Sequence, residues 1–360
     1  MVQKVIVAQP RGFCAGVEMA IKALSFLIKA FESPIYCYHE IVHNQIVVDR
    51  FRNKGVIFVD SIEEVPANAI VMLSAHGSAP QVVSDSKDFD RVSINAVCPL
   101  VTKVHHEAKT RTNKGFEVIY VGHEGHDEAL GTMAVAPDKI HLVTDHESLE
   151  RVSREILPDT PIALLAQTTL AMSEWETIAD SAKERFPGMW TATKSDLCFA
   201  TTNRQTALKE LVKKANVLLI IGSSNSSNTL ALEKVAREQG CERVYRIDSA
   251  ECLDHLDLKP DDIIGVTAGA SAPEDIVQEV IAKCDPGDNI EYLSVINEDE
   301  YFPPPSQLRN LVMDINFAVA SIFSSIRKEE LGEERATQLQ CDLRGVFSQD
   351  RHFRASESLV

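Results

Sequence analysis

Short runs of β-branched and aliphatic residues alternate along this chain with stretches whose apolar positions recur every three or four residues. "KVIVA" (4–8), "PIYCY" (34–38), "EVIYVGH" (117–123), "VLLIIGS" (217–223) and "RVYRID" (243–248) have the composition and length of strands. "SEWETIADSAKERF" (173–186) and "NTLALEKVAREQG" (228–240) carry the helical period. Alternation of this kind predicts small parallel sheets flanked by helices. In open parallel sheets, ligand groups collect beyond the C-terminal ends of the strands.

Three strand-to-helix junctions each carry a cysteine. "PRGFCAGVEMAIKALSF" (10–26) passes from the first strand through Cys14 into a helical pattern at Val17, Ile21, Leu24 and Ile28. "SINAVCPLVTKVHHEA" (93–108) repeats this at Cys98, and "TKSDLCFATTNRQTALKELVKKAN" (193–216) at Cys198. A cysteine at a helix start meets unpaired N–H groups and the positive end of the helix dipole, which favours a thiolate. Polar residues keep step with the cysteines. His43, His126 and Ser226 follow Cys14, Cys98 and Cys198 by 29, 28 and 28 residues. His76, Thr168 and Ser271 end the apolar runs "AIVMLSAHGS", "IALLAQTT" and "DIIGVTAGAS", at looser offsets of 62, 70 and 73. The expected architecture is three similar α/β units, at 1–97, 98–195 and 196–310, each pointing one cysteine and two polar strand ends at a common centre. Residues 311–360 would add a helix and a polar tail.

Composition narrows the chemistry. The 44% hydrophobic and 25% charged fractions are those of a soluble globular chain, and 360 residues allow two or three domains. No run approaches a membrane span of roughly 18 apolar residues. With the chain opening directly on a strand, the expected location is the cytoplasm. A net charge of −17 argues against a nucleic-acid footprint. In a reducing compartment the eight cysteines imply no disulfides. Cys37, Cys241, Cys252, Cys284 and Cys341 have no counterparts in phase and read as ordinary thiols.

Three converging cysteines suggest a metal centre. A structural zinc site usually contains a Cys-x₂₋₄-Cys clip, which this sequence lacks. An iron–sulfur cluster accepts thiolates from distant positions, and with three ligands it leaves one iron open. The spacing leans towards iron–sulfur without excluding zinc. Walker A and G-x-G-x-x-G motifs are absent. "SSNSSNT" before a helix start has the form of an anion site, and with the histidines it fits a phosphate or diphosphate. Glu128, two residues from His126, is the acidic group best placed to deliver a proton, and burial would raise its pKa. A zinc hydrolase and a non-catalytic iron–sulfur sensor use the same features and stay open at this point.

"PRGFCAGV", "EIVHNQIVVD", "SAHG", "CPLVTKVH", "GHEGHDEALGTM", "AQTTL", "CFATTNRQ", "GSSNSSN" and "TAGASAP" together resemble the motifs of LytB-type 4-hydroxy-3-methylbut-2-enyl diphosphate reductases. They run in order from about residue 4 to 310. The resemblance implies a trefoil of three pseudo-related α/β domains around a central cavity that holds a [4Fe–4S] cluster on Cys14, Cys98 and Cys198. It implies that His43, His76, His126, Ser226, Ser227, Asn228 and Ser271 hold the substrate diphosphate. Thr168 would contact the substrate hydroxyl, and Glu128 would supply the proton with which that hydroxyl leaves. The implied electron donor is a ferredoxin or flavodoxin. Residues 311–360 extend past the family's pattern and leave oligomeric state and partner docking open.

Overall fold

The computed structural model describes residues 2–31, 34–192 and 195–325. Its strands, numbered along the chain, are β1 (Lys4–Gln9), β2 (Ile35–Tyr38), β3 (Ile57–Val59), β4 (Ile70–Leu73), β5 (Val92–Asn95), β6 (Glu117–Val121), β7 (Ile140–Val143), β8 (Ile162–Ala166), β9 (Trp190–Thr191), β10 (Val217–Ile221), β11 (Arg243–Ile247), β12 (Ile263–Ala268) and β13 (Ile290–Ser294). They form three sheets, ordered β3-β2-β4-β5, β7-β6-β8-β9 and β11-β10-β12-β1-β13. Every pairing is parallel. Parallel neighbours need crossover connections, and helices between the strands supply them. The α/β class with three small parallel sheets is as the alternating pattern predicts.

The sheet orders superimpose term by term, and this corrects the expected first domain. Strand β1 does not belong with residues 35–95. It pairs with β12 and β13 and completes the third sheet. In that position it corresponds to β5 in the first sheet and β9 in the second. The threefold repeat is thus closed by the chain's own beginning, and the unit expected at 1–97 is divided between two sheets. Contiguous sequence could not show this, because the partner of β1 lies more than 250 residues away.

Each of β1, β5 and β9 leads into a cysteine and then a helix that packs on the next sheet. The helix Ala15–Ala30 follows β1 but buries Ala20, Ile21, Leu24 and Leu27 against Ile35, Cys37, Met72 and Ile94 of the first sheet. The helix Pro99–Asn113 follows β5 and places Val104 and Ala108 on Val118, Tyr120, Ala163 and Leu165 of the second. The helix Phe199–Val212 follows β9 and packs Ala207, Leu208 and Leu211 on Leu218, Ile220 and Ile6 of the third. Each fully buried Leu or Ile in these seams is worth about 2 kcal/mol of hydrophobic stabilisation. These seams are what hold the three cysteines at the junctions between lobes.

Strand β13 closes the third sheet by pairing with β1. The C-terminal helix begins at Ser306, ahead of the expected 311–360 segment, and is described to Ser325. Leu308, Leu311 and Val312 anchor it on the first lobe's core. Its expected continuation, the polar tail and Cys341 lie outside the described residues. Among the described residues, no helix is long and apolar enough to cross a membrane.

Candidate active site

Cys14, Cys98 and Cys198 are each the N-cap of their helix. They are held in the same way. The Cys14 N–H donates to the Ala270 carbonyl (3.1 Å), that of Cys98 to Ala75 (3.0 Å) and that of Cys198 to Thr168 (3.0 Å). All three acceptors lie two residues past equivalent strands, β12, β4 and β8. The sulfurs converge. A Cβ added at Gly16 would fall 2.8 Å from Cys98 Sγ and 3.9 Å from Cys14 Sγ, so only glycine leaves this cradle open. Burial, followed by the charge of the Cys14 sulfur, pushes the Cys98 and Cys198 thiols up to about 12. The helix-start argument for thiolates is overturned for these two: desolvation outweighs the dipole, and without a cation the sulfurs keep their protons.

Glu128 sits in the first turn of the helix Asp127–Met133 and is 2% exposed. Thr168 holds it twice, with its N–H on Oε1 at 2.7 Å and its hydroxyl on Oε2 at 2.9 Å. Desolvation nonetheless raises the carboxyl to about 7. The Thr168 carbonyl accepts from the Cys198 N–H, so one residue ties the proton-bearing carboxyl to the sulfur loop.

Beyond the thiols lies a crown of imidazoles. His43 and His126 each stand five residues past the equivalent strands β2 and β6, and Ser226 stands five past β10. His76 stands three past β4. The His43 and His76 rings stack at 3.7 Å, and His126 meets His43 edge-on at 5.0 Å. Burial and the neighbouring imidazoles hold His76 well below its usual range, and they take His126 down to about 3. Among the described residues, buried His43 Nε2 and His76 Nδ1 find no hydrogen-bond partner. Buried polar atoms in native structures are rarely left so, and both of these face the crown. An open cleft of about 370 Å³, lined by His39, His43, His126, Asp127 and Asn225 among others, reaches this crown from outside.

The third lobe contributes hydroxyls and an amide. Ser226 caps the helix Ser227–Glu238 by accepting from the Thr229 N–H. Asn228 Oδ1 accepts from the Ala270 N–H at 2.9 Å. Ser271 donates to the His43 carbonyl at 2.9 Å, and Gln167 Nε2 donates to Ser227 Oγ at 3.0 Å, joining lobe to lobe.

The backbone register exposes what sequence spacing missed. Thr168 corresponds to Ala75 and Ala270, so Thr169 is the counterpart of His76 and Ser271. Its hydroxyl donates to Ser227 Oγ at 2.9 Å. Adjacent threonines in "AQTTL" hid the choice. Arg204, inside the quoted "TTNRQ", is 1% exposed and reaches the Gly12 carbonyl (2.8 Å), the Ala200 carbonyl (2.9 Å) and Glu298 (3.0 Å). It clamps the Cys14 loop onto the Cys198 helix. Neighbouring Gln205 bonds the Leu170 carbonyl and the Met172 N–H, while Asn203 reaches Glu298. His39 and Asp127 also line the crown, and no periodicity signalled either. His105 is buried near Gly77, whereas His106 is on the outer face with Thr110.

Fold and site together define an all-parallel α/β protein in which three sheets direct thiols, imidazoles and hydroxyls toward one centre. The profile of the LytB protein family matches residues 5–285, and the chain belongs to that family. It is 44% identical to the 4-hydroxy-3-methylbut-2-enyl diphosphate reductase of Rhodopirellula baltica, over 85% of this chain and 96% of that one. It is 42% identical to that of Ruthia magnifica, over 85% and 100%. Among solved structures, the E-1-hydroxy-2-methyl-but-2-enyl-4-diphosphate reductase of Plasmodium falciparum has a TM-score of 0.83 at 30% identity, covering 88% of this chain and 99% of that one.

Proposed function

We propose that the protein is a 4-hydroxy-3-methylbut-2-enyl diphosphate reductase, acting in the last step of the methylerythritol phosphate (non-mevalonate) route to isoprenoids. It removes the allylic hydroxyl of the (E)-substrate as water, with two electrons and two protons, and gives isopentenyl and dimethylallyl diphosphates. The thiol donor set and the open cradle at Gly16 suit a [4Fe–4S] cluster on Cys14, Cys98 and Cys198. When bound, such a cluster delivers electrons one at a time and offers one iron without a protein ligand to the substrate oxygen. Among the described residues, the donors close enough to share one ion are His43, His76 and Asp127, not the three sulfurs. Thiolates on a single zinc, at about 2.3 Å each, would crowd closer than that, so the wider spacing supports a polynuclear centre over a zinc hydrolase.

The chain's own residues bind, orient and protonate. His43, His76, His126, Ser226, Ser227, Asn228 and Ser271 receive the diphosphate, filling the orphaned imidazole nitrogens. Thr168 orients the carboxyl of Glu128 and contacts the substrate hydroxyl. Glu128 gives its proton to that hydroxyl, converting a poor leaving group into water. A carboxyl near 7 is about half protonated at neutral pH, whereas an ordinary glutamate is almost wholly ionised. Electrons come singly from a ferredoxin or flavodoxin. The seven described cysteines are all free, as befits a reducing cytoplasm.

The observation carrying this reading is the buried Glu128 held by Thr168, which also holds the Cys198 loop. Glu128→Gln should keep its iron and its diphosphate binding while kcat falls about 10²- to 10⁴-fold. Turnover at the wild-type level would overturn the proton-donor role and favour a sensor that binds an anion without reacting.

A further inference from the structure

An anion pocket would be expected to shun carboxylates, yet Asp127 stands within the crown with only 17% of its side chain exposed. Its Oδ1 accepts from His39 Nδ1 at 2.9 Å. Its Oδ2 lies 3.7 Å from His43 Nε2 and 3.8 Å from His76 Nδ1, too far for hydrogen bonds. Both nitrogens are buried and without hydrogen-bond partners among the described residues. The donor atoms are near enough to share an ion, but the rings stack with planes 11° apart. Their lone pairs therefore lie in near-parallel planes and do not converge on one metal. The carboxylate instead supplies negative charge to the imidazoles without saturating them.

We propose that Asp127, pinned by His39, is a built-in counter-anion that sets how tightly the crown holds a diphosphate. The inference rests on the reading of the crown as the diphosphate site. With the pocket free, the Asp127 carboxylate places its negative charge beside the imidazole nitrogens of His43 and His76. When a diphosphate occupies their nitrogens, the same carboxylate repels it at short range. Substrate and product both carry diphosphate, so the repulsion lowers the affinity of each and keeps the product from lodging. A ligand that also engages the cysteine end is affected least in proportion. His39 draws the carboxylate away from the crown by donating its Nδ1 hydrogen bond to Oδ1. Asp127 touches no reacting atom and is a positioning residue.

Calorimetry of inorganic diphosphate with anaerobic, iron-loaded protein tests this. Removing the charge with Asp127→Asn should tighten binding by about tenfold and lower KM for the substrate in step. Asp127→Glu, which keeps the charge, should stay near wild type. His39→Gln should move the other way, to weaker binding, because the carboxylate loses its pin and partner. A merely structural role would weaken binding in all three variants. Unchanged or weaker binding in Asp127→Asn, at wild-type iron content, overturns the proposal. If inorganic diphosphate bound neither wild type nor variant, the crown would not be an anion site, and the diphosphate reading would fall together with this one.

Discussion

The cysteine end and the histidine end of the site are buried alike, and burial drives their protons in opposite senses. At the cysteine end it raises the thiols of Cys98 and Cys198 to about 12, so they are neutral at pH 7. At the histidine end it depresses His76 and takes His126 to about 3, so they too are neutral. The difference lies in the ligand each end awaits. A cation at the thiols must release protons, and an anion at the imidazoles must take them up. Glu128 lies between the two ends and is tuned near neutrality. The thiols of Cys98 and Cys198 and the imidazoles of His76 and His126 thus stay neutral until two ligands of opposite sign arrive, beside an ionised Asp127 carboxylate.

The largest test of that contrast is at the cysteine end. Cys14→Ser, Cys98→Ser or Cys198→Ser should each bleach the visible chromophore of anaerobic protein and abolish turnover. Cys37→Ser should keep both, since Cys37 is fully buried on β2 within the first lobe's core. Equal colour in all four variants would break the assignment.

A second test sharpens the position of Glu128. A carboxyl whose pKa is raised in the folded state favours folding below its unfolded value and penalises it as pH climbs to the folded value. Raising Glu128 from 4.5 to about 7 corresponds to about 3 kcal/mol lost between pH 4 and pH 8. Glu128→Gln has no such titration. Its stability relative to wild type, measured by denaturant unfolding of cluster-free protein, should therefore improve by about 3 kcal/mol across that range. A difference independent of pH would mean that the carboxyl titrates normally.

At the histidine end the effect is smaller. Inorganic diphosphate binding at pH 7 should take up protons, and affinity should strengthen as pH falls from 8 to 6, at most about tenfold per unit for each proton. Calorimetry in two buffers of different ionisation enthalpy measures the uptake directly. Proton release on binding would contradict the sign derived from His76 and His126.

Much of this site was legible before the fold. Residues that must sit at strand ends carry a periodic signal, and the 28- and 29-residue offsets of His43, His126 and Ser226 became positions five residues past equivalent strands. What escaped was set by non-local contact. The pairing of β1 with β12 and β13 depends on chain closure, so no local pattern reveals that the first unit begins in the third sheet. Thr169 escaped because two adjacent threonines satisfy the same spacing, and only the Cys198 N–H to Thr168 carbonyl bond fixes the register. Arg204 was hidden in the second turn of a helix, where an arginine carries no periodic signal. Asp127 and His39 follow no period, because their roles come from two lobes meeting face to face.

Iron and acid-labile sulfide content of the anaerobically purified protein, with substrate-dependent oxidation of a reduced dye, tests most directly that three lobes hold one open polynuclear centre. The expected result is about four irons and four sulfides per chain, with dye oxidised only when the allylic diphosphate is added. One zinc per chain with no sulfide, or dye oxidation indifferent to substrate, would contradict it.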